Sequence, residues 1–140
     1  MLRNVHGLPG RHNLLVDLWL ERGRPGDAIR FVSQNSGAVV GLPWMAKAEF
    51  LRGAVIAGHM HDEVQTFLDV FIVVWPTEET LRRYATLYGE LRKTNKQIGP
   101  NDLWIAAAAL ERDLPLLTRN AGEFSRVQGL TLMDYSSPKS

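Results

Sequence analysis

Gly99-Pro100-Asn101-Asp102-Leu103-Trp104-Ile105-Ala106-Ala107-Ala108-Ala109-Leu110-Glu111-Arg112 runs through Asp113-Leu114-Pro115 into Leu116-Leu117-Thr118-Arg119-Asn120. That stretch decides the fold. Gly99-Pro100-Asn101 breaks whatever precedes it and caps a new helix, which the pattern places over residues 102–112. Asp102, Ile105, Ala106, Ala109 and Leu110 recur at helical spacing, and the alanines let that face approach a neighbour closely. Leu116-Leu117-Thr118 is then a short apolar run without alternation, as in a strand covered on both faces. A helix feeding a buried strand is one half of a parallel α/β unit.

The rest of the chain repeats that rhythm. Residues 14–17, 38–42, 71–75, 116–118 and 130–133 read as strands. Residues 27–33, 46–57, 62–70, 78–93 and 102–112, roughly, carry the helical period. Non-alternating strands separated by helices predict a parallel sheet covered on both faces. The expected fold class is therefore α/β, a three-layer sandwich on a mostly five-stranded parallel sheet, with right-handed crossovers. Punctuation agrees: Asp27 is the expected N-cap after Gly23-Arg24-Pro25-Gly26, and Thr77 the expected N-cap before Glu78-Glu79. Gly58 stands where a helix-ending glycine belongs.

The 140 residues suit one domain spanning 1–140, with 1–12 as an amino-terminal extension ahead of the first strand. An apolar fraction of 45% excludes a disordered chain. With 16 basic against 15 acidic residues, net charge +1, any nucleic-acid contact must be a local patch. No cysteine is present, which removes disulfides, thiol nucleophiles and zinc–thiolate sites. Neither a signal-peptide core nor an apolar run of membrane length occurs, so a soluble cytoplasmic protein is expected. Phosphate-binding glycine loops and the Gly-x-Ser-x-Gly elbow are missing too.

Against this frame four residues take on meaning: Asp17, Glu49, Asp102 and Asn120. Each stands where a predicted strand ends or a helix begins, and in an open parallel sheet such positions share the ligand-binding edge. Taken singly, each has a structural explanation as a turn residue, a solvated helix residue or a first-turn acid complementing the helix dipole. Glu49 lies roughly 60° from the apolar stripe Ala46, Phe50, Gly53 and Ala57, on its shoulder. Asp102 heads the apolar stripe of its own helix, where an unpaired charge is costly. Together they make an oxygen-rich set suited to a hard divalent cation, Mg²⁺ or Mn²⁺, and to hydrolysis of a phosphodiester.

These residues carry a family resemblance. Leu14-Leu15-Val16-Asp17, Ala48-Glu49-Phe50-Leu51-Arg52-Gly53-Ala54, Ile98 through Ala107, and Leu117-Thr118-Arg119-Asn120 with Glu123-Phe124 resemble the blocks of PIN-domain ribonucleases. The specific likeness is to the VapC-type toxins of bacterial toxin–antitoxin pairs. Gly129 through Tyr135 is similar to that family's last strand. The resemblance implies a Mg²⁺- or Mn²⁺-dependent endoribonuclease, usually homodimeric, acting on transfer or ribosomal RNA and neutralised by a cognate antitoxin. It also implies Asp17, Glu49 and Asp102 as catalytic metal-site acids, Asn120 as the fourth member, and Thr118 as a supporting hydroxyl. One position departs: after Asp17 the chain has Leu18-Trp19, where the family usually has a small hydroxyl residue and then Asn or Ser. A catalytically degenerate PIN-like domain that binds RNA or a protein without cutting is therefore the alternative. A haloacid-dehalogenase-type phosphatase needs a second acid two residues after the first, and that position is Trp19.

Arg52 and Arg119 neighbour the acids and are the candidate phosphate contacts. The basic segment 92–96 reads as a solvated helix end with cations near its carboxyl terminus. Trp19 and Trp44 suit core packing better than base stacking, and His59-Met60-His61 reads as a turn with two exposed histidines.

Overall fold

A computed structural model describes residues 14–119 and 121–136. Its helices are α1 (Leu14–Leu20), α2 (Asp27–Gln34), α3 (Trp44–Ala57), α4 (His61–Leu68), α5 (Glu78–Lys93) and α6 (Pro100–Glu111). Its strands are β1 (Gly41–Pro43), β2 (Ile72–Val74), β3 (Leu116–Leu117) and β4 (Leu132–Met133). Short 3-10 turns cover Glu21–Gly23 and Gly122–Arg126. The class is α/β, as expected.

Both strand pairings are parallel. β1 lies on β2 with Gly41 opposite Ile72 and Pro43 opposite Val74. β3 lies on β4 with Leu116 opposite Leu132, and the ladder extends through Thr118 N–H to the Met133 carbonyl at 3.0 Å. Among the described residues these are two separate two-stranded sheets rather than one sheet of five strands.

The run 14–17 corrects the sequence reading most directly, because it is helical. Leu14, Leu15, Leu18 and Trp19 are all buried, a spacing of one helical face. A four-residue window that stops at Asp17 cannot separate that face from a buried strand. Strands 71–75, 116–118 and 130–133 survive in shorter form, whereas 38–42 is displaced to Gly41–Pro43.

Capping explains several boundaries. Thr77 and Thr80 form a reciprocal capping box at α5, whose first turn holds Glu78 and Glu79 and whose last holds Arg92 and Lys93. Gly58 ends α3 at φ 76°, a left-handed conformation that costs a side-chain-bearing residue strain. Asp27, however, is not the cap of α2. Gly26 holds that position, and the Glu21 carboxylate accepts from the N–H groups of Gly26, Ala28 and Ile29 at 2.7, 3.3 and 3.0 Å. A Cβ on residue 26 would stand 3.0 Å from that carboxylate, a tight contact that the Glu21 side chain would have to relieve by shifting.

The core gathers around α6, whose Ile105 and Ala106 through Ala109 are at most 2% exposed. Trp19 closes one end of it, with Phe67 at 5.2 Å and Phe50 at 5.8 Å between ring centroids. Its expected packing role is thus the observed one. No helix among the described residues is long and apolar enough to cross a membrane.

Candidate functional site

Among the described residues the buried polar or charged side chains are Asp17, Glu49, Thr80, Asp102 and Thr118, each at most 4% exposed. Four of these five are residues the sequence singled out. Withdrawing a carboxylate from water is expensive, so three buried acids in one small domain require a purpose.

Glu49 and Asp102 sit on two helices packed together. Glu49 lies in the second turn of α3 and Asp102 in the first turn of α6. The amino-terminal parts of these helices are neighbours, since the rings of Trp44 and Trp104 meet edge-on at 5.8 Å. Pro100, at the first position of α6, starts the helix that carries Asp102 inward. Thr118 stands immediately beyond β3, buried, with its backbone tied to β4.

Asp17 is placed differently from expectation. It lies in the middle of α1, not at the end of a strand. Its Oδ2 accepts the Tyr135 hydroxyl at 2.5 Å and the Arg119 Nη1–H at 3.1 Å. Burial, and then the bond to Asp17, push the Tyr135 hydroxyl far above the ordinary tyrosine value, so it remains a donor. The bond to Asp17 likewise holds the Arg119 guanidinium above its usual value, against the opposing pull of burial. Tyr135 is the functional-looking residue that sequence reasoning assigned no role. A buried tyrosine needs a partner for its hydroxyl, but nothing local to residue 135 points to residue 17.

The donor chemistry fits a hard cation, being carboxylate oxygen with no sulfur. Among the described residues, though, no group of three or more His, Cys, Asp or Glu side chains is arranged to hold a metal ion. Magnesium does not need three, because it commonly keeps several waters and takes one or two carboxylates. Glu49 and Asp102 are thus two buried carboxylates on the packed helices α3 and α6, while the buried Asp17 accepts from Tyr135 and Arg119. Asn120, the fourth expected member, lies outside the described residues, as do residues 1–12. Arg52 is exposed on α3, three residues beyond Glu49. In the basic segment 92–96, Arg92 and Lys93 occupy the last turn of α5, as a dipole-complementing helix end should.

The PIN domain family model matches residues 13–130. Ribonuclease VapC1 of Haemophilus influenzae strain R2866 is 29% identical over 127 residues, covering 86% of this chain and 93% of that protein. Two solved structures share the fold. VapBC-1 from nontypeable Haemophilus influenzae superposes with a TM-score of 0.70 at 24% identity, over 86% of this chain and 92% of that one. VapBC2 from Rickettsia felis, bound to a DNA fragment from its promoter, gives 0.72 at 22% identity, again over 86% and 92%.

Proposed function

The chain belongs to the PIN domain family, and we propose that it acts as a VapC-type endoribonuclease, the toxin of a toxin–antitoxin pair. The observation that carries the proposal is the burial of Glu49 and Asp102 on adjoining helices, within a chain that resembles ribonucleases over most of its length. In this reading the two parallel strand pairs are the flanks of a five-stranded sheet whose fifth strand has no counterpart among the described residues.

Glu49 and Asp102 would hold Mg²⁺ or Mn²⁺, with the Asn120 amide oxygen as a neutral donor beside them. The cation would supply the positive charge that a phosphoryl group requires as its bond to oxygen breaks. The protein's own residues do the remainder. Apolar packing around α6 keeps the acids desolvated, which strengthens their hold on a cation. Thr118, buried and fixed by the β3–β4 ladder, would be the supporting hydroxyl. The substrate class is structured RNA of the transfer or ribosomal kind, and the partner a cognate antitoxin. A homodimer is the expected assembly.

Asp102→Asn tests the reading. Manganese-dependent cleavage of RNA should be lost in this variant, and cleavage at the wild-type rate would defeat the assignment. One observation favours a second reading, an RNA-binding domain that does not cut: the third acid, Asp17, is committed to Tyr135 and Arg119. In that case the wild-type chain binds RNA and leaves it intact at millimolar manganese.

A further inference from the structure

We propose that Asp17 acts as a positioning residue that aims Arg119 at a backbone phosphate of the RNA; this rests on the RNA reading above. Three observations support it. Asp17 belongs to no three-acid group suited to a metal among the described residues. Its Oδ2 binds Arg119 and Tyr135 together. And while the Asp17 side chain is 5% exposed, that of Arg119 is 42% exposed.

The geometry is that of a braced cation. Tyr135, 3% exposed, fixes the carboxylate from one side. The carboxylate then fixes one nitrogen of the guanidinium. A guanidinium carries five donors in a rigid plane, so holding one nitrogen on the Asp17 carboxylate restricts where the other donors can reach. The head group is presented to solvent directly after Thr118, one residue before Asn120, at the end of β3. Asp27 is the other acid whose field reaches Arg119, and it is already paired with Arg30 at 2.8 Å. A phosphodiester oxygen is the anion that this planar fork matches.

Binding of a fluorescein-labelled single-stranded oligoribonucleotide to the full chain, followed by anisotropy over a salt series, tests the idea without requiring cleavage. Arg119→Ala should weaken binding about tenfold and lower the salt slope by about one. Arg119→Lys should recover only part of the loss, because an ammonium lacks the fork. The decisive variant is Asp17→Asn. It removes a negative charge, so simple electrostatics demands tighter RNA binding, whereas loss of positioning demands several-fold weaker binding. Tyr135→Phe changes no charge and should weaken binding in the same direction, with both folds checked by circular dichroism. Unchanged or tighter binding by Tyr135→Phe, or by a folded Asp17→Asn, overturns the proposal. Absence of cleavage by the wild type under manganese defeats the nuclease reading alone and leaves this binding result standing.

Discussion

The Tyr135 hydroxyl donates to the Asp17 carboxylate at 2.5 Å, joining a residue near the carboxyl end of the chain to the first described helix. The bond is buried at both ends, since the two residues are 3% and 4% exposed. It thus closes the domain across 118 positions of sequence, and the carboxylate it serves also carries Arg119.

Removing that hydroxyl gives the first prediction. Tyr135→Phe retains the ring, so the core loses no volume, but the buried carboxylate loses a donor. A destabilisation of about 1–3 kcal/mol is expected, the cost of stripping one bond from a buried acceptor. Urea unfolding checks it: the midpoint should fall with an unchanged slope. An unshifted midpoint would show that the bond contributes nothing to stability.

Cation binding gives the second. If Glu49 and Asp102 hold a divalent ion in the folded chain only, manganese must stabilise that state by mass action. Thermal unfolding should rise with manganese concentration in the wild type and be flat in Asp102→Asn and Glu49→Gln. Calorimetric titration should show heat with the wild type and none with either variant. A wild-type chain indifferent to millimolar manganese in both measurements would exclude the site.

How far the sequence revealed all this depended on how local each signal was. α5 and α6 were legible because their caps and periods lie within a dozen residues. Glu49 and Asp102 were legible because each sits on the wrong part of its helix for a solvated acid. Leu14-Leu15-Val16-Asp17 misled because a short apolar run has no period of its own, and only Leu18 and Trp19 complete the helical face. The cap of α2 misled because Asp27 is a good local candidate, while the actual acceptor, Glu21, reaches in from the preceding turn. Tyr135 was beyond sequence reasoning altogether, its partner being fixed only by the tertiary fold.

Trp19 supplies the third prediction. Phe50 and Phe67 pack around it, His59 meets its edge at 5.1 Å, and the Arg22 guanidinium lies 3.4 Å from its ring centroid. Trp19→Ala should therefore cost about 3–5 kcal/mol through the cavity it leaves. Chemical denaturation measures this directly. A loss below 1 kcal/mol would mean that the site collapses to fill the space.

Glu111 supplies the last, and it is a statement about pH. Its carboxylate accepts the hydroxyls of both Thr77 and Thr80 and pairs with Arg112 at 2.8 Å. Burial alone pushes this carboxyl up, but the two hydroxyl bonds and the Arg112 cation outweigh it, and the net value lies below the ordinary 4.5. A folded-state value lower than the unfolded one means that the unfolded chain binds the proton more readily. Stability from this group is therefore fully present above about pH 4.5 and drains away as pH falls through the lower folded value. In Glu111→Gln the proton equilibrium is gone while the shape remains. The mutant should be less stable than the wild type at neutral pH, and the gap should narrow progressively on acidification below pH 4.5. Because Glu111 ties the end of α6 to the capping box of α5, the same variant should loosen the start of α5, seen as faster amide exchange at Thr80 and Leu81. A stability gap that stays constant from neutral pH down to strongly acidic solution would show that Glu111 is not bound as its neighbours suggest.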